Sequence, residues 1–280
     1  MVELSNAALE LAQNLKAHAA RGELNVPMLP AVASRVIQIT QDATSTADEL
    51  AELIQSDQAL AMHVMRIANS AAYSPNITLV SFQQAITRLG MNLISEIALA
   101  ASVSGKMFKA AGFEKDIDHI WKHALGTALW SKEIAKSCKR DVEATFLCGL
   151  LHSIGTPVSL QLLCDINTES SITHDEILNL SQKFSRAMGK RVAIAWDMPE
   201  IVGEVIAFTN LWPEAPTAKD QTAAVSAGAL LSRWQITQQI SEEELLQSDA
   251  LAFLNFYEDD IHALLEHSSI VHNTLEAMTV

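Results

Sequence analysis

The sequence has few of the residues that mark several classes of protein. Its three cysteines, Cys138, Cys148 and Cys164, form no C-x-x-C pair and no even set, which favours buried free thiols over a disulfide framework. Only 10 glycines and 7 prolines occur in 280 residues, too few for a turn-dense all-β chain. Because 49% of the residues are apolar, the chain can bury a large core. We expect a mostly α-helical protein.

Positive charge is also scarce. The chain has 19 basic against 33 acidic residues, a formal net charge of -14, and no local basic patch stands out. Such a surface repels phosphates and anionic lipid, so we expect neither nucleic acid nor membrane as a partner. The first 15 residues are acidic and amphipathic, unlike a signal peptide, and no apolar run approaches about 18 residues. A cytoplasmic location is therefore expected.

The first hundred residues show successive helix starts. Polar residues stand at cap positions ahead of apolar stripes: Thr46 with Glu49, Asp57, and Ser81 with Gln84. Asp57 is the one carboxylate that borders an apolar stripe, and it is interpreted as a helix cap and not as a catalytic residue. Gly90 is predicted to end one helix, and the next is predicted from about residue 92 to residue 107.

At this point a resemblance becomes specific. The segments "LPAV", "IQSDQAL", "ANSAAY" and "AITRLG" follow one another in the order and spacing of the HDOD domain, a signalling module related to HD-type metal-dependent phosphohydrolases. The resemblance extends from about residue 25 to at least residue 235, with Gln58 where the family usually has proline. It implies an all-α, two-lobed helical bundle. An N-terminal HDOD-type lobe (1–110) would pack on an HD-like lobe with C-terminal helices (111–280).

The resemblance also directs attention to a metal centre. HD-type enzymes hold one or two divalent ions with several imidazoles and carboxylates, and the ions activate water and neutralise phosphoryl oxygens. Two ligand positions are filled here, by His123 in "IWKH" and His152 in "GLLH". The other positions carry residues that are weak ligands or none: Ser153, Ser185, Thr209, Asn210 and Gly228. We expect a degenerate centre with no catalytic residue and no resident cofactor.

Two alternatives concern the histidines. His123 and His152 could hold a single Zn²⁺ with a water and a carboxylate not identified in the sequence. Against this, buried histidines are commonly satisfied by a neighbouring hydroxyl or a backbone carbonyl. Ser153 beside His152 could be a nucleophile with its base, but neighbouring residues on a helix point about 100° apart.

Other candidate residues have simpler interpretations. The dipeptide His174-Asp175 is interpreted as a helix start, because Thr173 and Glu176 fit a capping box around it. Lys183, Arg186 and Lys190 are spaced to share one helix face. That face is either a phosphate-binding strip or an ordinary solvated surface.

The C-terminal part offers little chemistry. "SEEE", from Ser241, is predicted to cap a helix over "LLQSDALAFLNF", and residues 213–220 are predicted to form a loop. His262, His267 and His272 lack the spacing of a ligand set on one helix. We expect an amphipathic closing helix or a partner-binding face there.

The function implied by the resemblance is regulatory. A bacterial signalling role would act through contacts with protein partners, and the input would arrive in trans, since the sequence shows no sensor, receiver or cyclic-dinucleotide-synthesising domain. One alternative is a divergent metal-dependent phosphohydrolase that uses His123 and His152 with a divalent metal. Another is a receptor in which Ser153, Ser185, Thr209 and Asn210 line a pocket that binds a nucleotide-like ligand without turnover.

Overall fold

The computed structural model describes residues 4–21, 23, 26–42, 44–74, 76–168 and 171–279. All regular structure in these residues is helical, with no strand, so the all-α prediction is confirmed. The first half contains six α-helices: α1 (Asn6–Arg21), α2 (Ala31–Gln41), α3 (Ala47–Gln55), α4 (Gln58–Ala68), α5 (Phe82–Leu89) and α6 (Met91–Ser102).

The second half is built on longer helices. They are α7 (Glu114–Ser137), α8 (Val142–Leu151), α9 (Gly155–Ile166), α10 (His174–Ala195), α11 (Glu200–Phe208), α12 (Lys219–Thr237), α13 (Glu242–Leu246), α14 (Asp249–Phe253), α15 (Glu258–Leu265) and α16 (Ser268–Thr279). Two 3-10 helices, Gly105–Met107 and Thr209–Glu214, lie between them.

The predicted caps of the first lobe are confirmed. Thr46 and Glu49 form a complete capping box, and the Asp57 carboxylate accepts hydrogen bonds from the first-turn amides of α4 at 3.0 and 3.1 Å. Ser81 accepts a hydrogen bond from the Gln84 amide at 3.2 Å. Gly90 alone separates α5 from α6, and its φ of 85° is one that other residues rarely adopt.

The predicted helix over residues 92–107 is too long. α6 ends at Ser102, and only a short 3-10 helix, Gly105–Met107, follows. Gly105 has the lowest helix propensity in this stretch, so the α-helix ends ahead of it.

Glycines set the packing around α7. A Cβ would lie 2.5 Å from α12 at Gly126, 2.7 Å from α7 at Gly149 and 2.2 Å from α7 at Gly228. Because no side chain intervenes at these points, α8 and α12 lie directly against α7. This close packing brings the middle of α7, the end of α8 and the last turns of α12 together.

A second close crossing joins α9 and α10. A Cβ at Gly155 would lie 1.8 Å from the Ser185 carbonyl oxygen and 2.5 Å from the Gly189 amide nitrogen. The two backbones therefore touch, and Gly155 is required by the crossing rather than by its φ angle.

The N-terminal helix belongs spatially to the second half. α1 packs on α9 and α10, burying Ala8, Leu11 and Leu15. The amide of Ser5 donates to Glu176 at 2.7 Å. At the other end of the chain, α16 contacts α6 as well as α7. The division at residue 110 stays a prediction, but the lobe that follows it also carries α1.

One apolar stretch is longer than expected, since the sequence was interpreted as having no apolar run near about 18 residues. Residues Val142–Ile166, which form α8, a turn and α9, have a mean hydropathy of 1.4 in their most apolar 18-residue window and are long enough to cross a membrane. However, 83% of that window is buried inside the protein. Buried core helices pass the same test, so this stretch is weak support for a membrane span.

Near the C-terminus, the cap prediction is confirmed and two boundaries are corrected. Ser241 and Glu244 form a capping box, but α13 ends at Leu246 and a separate α14 follows. The predicted loop over 213–220 is shorter, because Pro213 and Glu214 end a 3-10 helix and α12 starts at Lys219. Proline is compatible with these short turns.

Candidate functional site

His123 lies in the middle of α7 and faces α12. Its Nδ1 atom is 3.1 Å from Ser232 Oγ, and the Ser232 hydroxyl donates in turn to the His123 carbonyl oxygen at 3.1 Å. With the serine proton on the carbonyl oxygen, Nδ1–H of His123 is the donor to Ser232. Ser232 is fully buried, so this pairing satisfies both polar groups inside the core.

His152 directly follows α8 and faces His123. Its Nδ1–H donates to the Gly149 carbonyl oxygen at 2.7 Å. The two imidazole rings lie edge to face, with centroids 5.6 Å apart and an interplanar angle of 78°. Each ring thus donates through Nδ1 and keeps the lone pair of Nε2.

The surroundings keep both imidazoles neutral. Burial is the main cause that lowers the pKa of His123, to about 3, and the neighbouring His152 and the Arg233 guanidinium act in the same direction. Burial and Arg233 lower the pKa of His152 to about 4, although the hydrogen bond to Gly149 opposes the shift. An ordinary histidine titrates near pH 6.5, so neither ring carries charge at neutral pH.

Ser153 stands where the resemblance implies a carboxylate. Its hydroxyl oxygen is buried and makes no hydrogen bond with any described residue. It borders a cavity of about 10 Å³ whose other walls are apolar, among them Phe108, Trp121 and Pro157. That volume is at the lower limit for one water molecule. Ser153 therefore lies beside an apolar pocket, where a carboxylate would be desolvated.

The remaining predicted positions are dispersed around the pair. Ser185 accepts a hydrogen bond from Thr156 at 2.7 Å in the first turn of α9, and Thr209 donates to the Val205 carbonyl at 2.6 Å. Asn210 is exposed. Gly228 opposes Ser131 and Thr127, two and one helical turns beyond His123 on α7. Among the described residues, none of these four positions bonds to either imidazole.

Ser232 and Arg233 are the residues that sequence reasoning missed. Ser232, rather than Gly228, is the α12 residue that contacts His123. Gly228 and Ser232 are four residues apart and share one face of α12, so the spacing indicates that both face α7. It does not indicate which of the two turns of α12 lies opposite His123. The charge of Arg233 lowers the pKa of both imidazoles.

The predicted capping box around His174 is confirmed, and the imidazole has further partners. Thr173 and Glu176 cap α10 reciprocally. The His174 ring stacks on Phe113 at 4.1 Å, and its Nε2 atom lies 2.9 Å from Asp116 Oδ2. His174 thus joins the starts of α7 and α10 and lies outside the His123–His152 pair.

The basic face on α10 is exposed throughout. Lys183, Arg186 and Lys190 all lie at the surface, and the Arg186 guanidinium packs 4.9 Å from the centre of the Phe208 ring. Its role as an anion-binding face stays a prediction.

The donor set does not fit a divalent metal. The described residues contain no group of three or more histidine, cysteine, aspartate or glutamate side chains placed to hold an ion. The two imidazoles lie close together, and the side chain that bonds to His123, that of Ser232, is already used on both its donor and acceptor sides. A stable Zn²⁺ site needs about four ligands, at least three of them usually from protein.

The family follows from a match over most of the chain. The HDOD domain matches residues 26–211, and the chain belongs to the HDOD family. The match begins where the resemblance in the sequence was expected to begin, and it ends at residue 211 rather than at 235.

One curated relative is similar over a large part of the chain. It is an uncharacterized protein of Treponema pallidum (strain Nichols), 23% identical over 202 residues that make up 69% of this chain. The chain spans about 39% of the length of that relative.

Solved structures share the fold. A protein of Shewanella amazonensis SB2B, described as a proposed metal-dependent phosphohydrolase, has a TM-score of 0.74 at 21% identity and covers 98% of this chain and 100% of its own. An HDOD domain protein of unknown function from Geobacter sulfurreducens has a TM-score of 0.72 at 21% identity. The match covers 96% of this chain and 97% of that protein. A proposed signal transduction protein from Marinobacter aquaeolei VT8 has a TM-score of 0.66 at 19% identity. The match covers 100% of this chain and 68% of that protein. At these identities the likeness shows the two-lobed helical fold alone.

Proposed function

We propose that this protein is a non-catalytic signalling module whose HD-like centre has lost its metal. The observation that carries the proposal is the donor set. His123 and His152 converge as neutral imidazoles, while Ser153 borders an apolar pocket instead of supplying a carboxylate. Two imidazoles alone do not hold the ions that activate water for phosphohydrolysis.

The module passes on a signal by contacting bacterial signalling proteins in the cytoplasm. Its input is supplied in trans by a partner protein or by a nucleotide-like ligand. Membership of the HDOD family supports this role, and one structure of the same fold is described as a proposed signal transduction protein. The net charge of -14 makes nucleic acid and anionic membrane unfavourable partners.

Elemental analysis tests the loss of the metal. The untagged protein, purified without chelator, is expected to contain well below one Fe, Mn, Zn, Ni or Mg per chain and to take up no added Mn²⁺ or Fe²⁺. It is also expected to leave p-nitrophenyl phosphate and bis-p-nitrophenyl phosphate intact. Stoichiometric metal together with hydrolysis that His152→Ala abolishes would overturn the proposal.

A divergent phosphohydrolase is the second candidate, and one observation favours it. Both imidazoles donate through Nδ1, which leaves both Nε2 lone pairs available as ligands. Under this function one divalent ion would be bound by His123, His152 and substrate or water. Loss of bound metal in both His123→Ala and His152→Ala, with metal retained in His174→Ala, would identify this site; no metal in any of the three proteins argues against it.

A further inference from the structure

A cavity of about 480 Å³ lies between the two lobes, and neither His123 nor His152 lines it. Residues of α2 and α6 enclose it from the first lobe, and the N-terminal ends of α8 and α11 enclose it from the second. Its volume falls within the roughly 300–1,000 Å³ that small-molecule sites occupy.

The wall from the first lobe is one face of α6. Asn92, Ser95, Glu96 and Leu99 follow the i, i+3, i+4, i+7 spacing that places side chains on one side of a helix, and all four line the cavity. Glu96 is only 6% exposed. Lys132 of α7 binds its Oε2 atom, while Oε1 has no hydrogen bond or ion pair with any described residue.

Two more carboxylates come from the start of α8. Asp141 uses Oδ1 to accept a hydrogen bond from the Ala144 amide at 2.9 Å, and Glu143 uses Oε1 to accept one from Asn92. The second oxygen of each has no partner within the described residues. No lysine, arginine or histidine of the described chain lines the cavity. The lining is therefore anionic, because Asp141 and Glu143 have no ion pair with any described residue and only Glu96 is paired, with Lys132.

Ser95 provides an independent sign of a ligand. It is 3% exposed, it lines the cavity, and its hydroxyl makes no hydrogen bond with any described residue. A buried hydroxyl without a partner is uncommon in folded proteins. Ser95 and Glu96 are neighbours on α6 and point about 100° apart, so the hydroxyl is a second polar group of this wall, separate from the free carboxylate oxygen.

We propose that this inter-lobe cavity binds an organic cation, a primary ammonium or guanidinium group on a short aliphatic body. The cationic group donates hydrogen bonds to the free oxygens of the three carboxylates, an arrangement that charge strengthens. Apolar side chains of the same cavity, including Ile37, Leu99 and Val202, contact the aliphatic body. Because the walls come from both lobes, bound ligand holds the lobes together. The site involves neither His123 nor His152.

Calorimetric titration of the full chain tests the proposal with two probes. Agmatine represents a free small cation, and N-acetyl-lysine methylamide represents a lysine side chain of a partner protein. Saturable binding of either supports the site, and the probe that binds more tightly identifies the source. Butyrate, an anion of similar size, is expected not to bind.

The variant protein carries Asp141→Asn and Glu143→Gln together. Asparagine still caps α8, so the fold is retained while two charges are removed. We expect affinity for the bound probe to fall by about tenfold or more, which is about 1.4 kcal/mol. Glu52→Gln is the matched control, since Glu52 is an exposed carboxylate on α3 outside the cavity. It should bind like the parent protein.

A second variant tests the cavity without changing charge. Ala144 lines the cavity, so Ala144→Phe is expected to fill part of it and to abolish binding in a protein that circular dichroism shows to be folded. The proposal is overturned if neither cation binds, if butyrate binds equally well, or if the charge-removing variant keeps the parent affinity. These outcomes are independent of whether His123 and His152 hold a metal.

Discussion

At the scale of single residues, the buried imidazoles make stability depend on pH. The pKa values of about 3 for His123 and about 4 for His152 lie below the value near 6.5 of an unfolded chain. As pH falls below 6.5, the unfolded chain binds protons that the folded protein excludes. Folding stability is therefore lost between pH 6.5 and the folded pKa values.

We predict a loss of about 2 kcal/mol per histidine between pH 7 and pH 5, on the order of 4 kcal/mol for the pair. Urea denaturation at the two pH values measures it. A variant with His123→Gln and His152→Gln controls for the carboxylates, which titrate in the same range. If that variant loses as much stability on acidification as the parent, the histidines are not the cause.

Glycine substitutions separate crowded from open positions. Gly155→Ala is expected to destabilise the protein by about 2–4 kcal/mol, because its Cβ would lie 1.8 Å from the Ser185 carbonyl and two backbones must move apart. Gly203→Ala is the control within α11, where the nearest atom to a Cβ is 3.9 Å away. There alanine should add up to about 1 kcal/mol of stability in thermal denaturation. Equal effects at the two positions would contradict the close crossing.

The sequence indicated His123 and His152 because short motifs carry them, but it did not indicate Ser232. Gly228 and Ser232 are one turn apart on α12, and a sequence contains no measure of how far one helix slides along another. The crowding at Gly228, whose Cβ would lie 2.2 Å from Ser131, sets that register only in three dimensions. A carboxylate at residue 228 would not fit between α7 and α12.

At the scale of helices, local hydrogen bonds account for what was predictable. The caps at Thr46, Asp57, Ser81, Thr173 and Ser241 were all predicted from residue type and spacing, because a cap acts within three or four residues. The end of α6 and the division of α13 from α14 were not predicted. Both have local causes that the apolar pattern does not show: Gly105 follows α6, and Ser248 caps α14.

A cap at α4 gives a test that separates hydrogen bonding from charge. Asp57→Ala is expected to destabilise the protein by about 1 kcal/mol, since the first-turn amides of α4 lose their acceptor. Asp57→Asn keeps the hydrogen-bond acceptor and should change the free energy of unfolding by only a few tenths of a kcal/mol. Chemical denaturation of the three proteins measures both. A large loss for asparagine would show that the negative charge, and not the cap, is what Asp57 contributes.

At the scale of the whole molecule, a buried ion pair joins the two lobes. Glu96 of α6 is 6% exposed and Lys132 of α7 is 14% exposed, so both charges are shielded from water. Burial raises the pKa of Glu96, and Lys132 opposes that shift. Removing one partner therefore leaves an uncompensated charge at the junction.

We predict that Lys132→Met destabilises the protein by roughly 3 kcal/mol, and that adding Glu96→Gln restores more than half of the loss. Urea denaturation of the single and double variants measures the recovery. A double variant as unstable as the single one would assign the loss to other contacts of the lysine, whose Nζ atom also lies 6.0 Å from the centre of the Phe146 ring.

The arrangement of α1 has a consequence for synthesis of the chain. Ser5 bonds to Glu176, 171 residues later. At roughly 5–20 residues per second, the ribosome needs about 10–30 s to deliver that partner. During this interval the apolar stripe of Ala8, Leu11 and Leu15 has left the exit tunnel without its docking surface. Nascent chains of this protein should therefore carry a chaperone-binding segment at α1, released when α9 and α10 emerge.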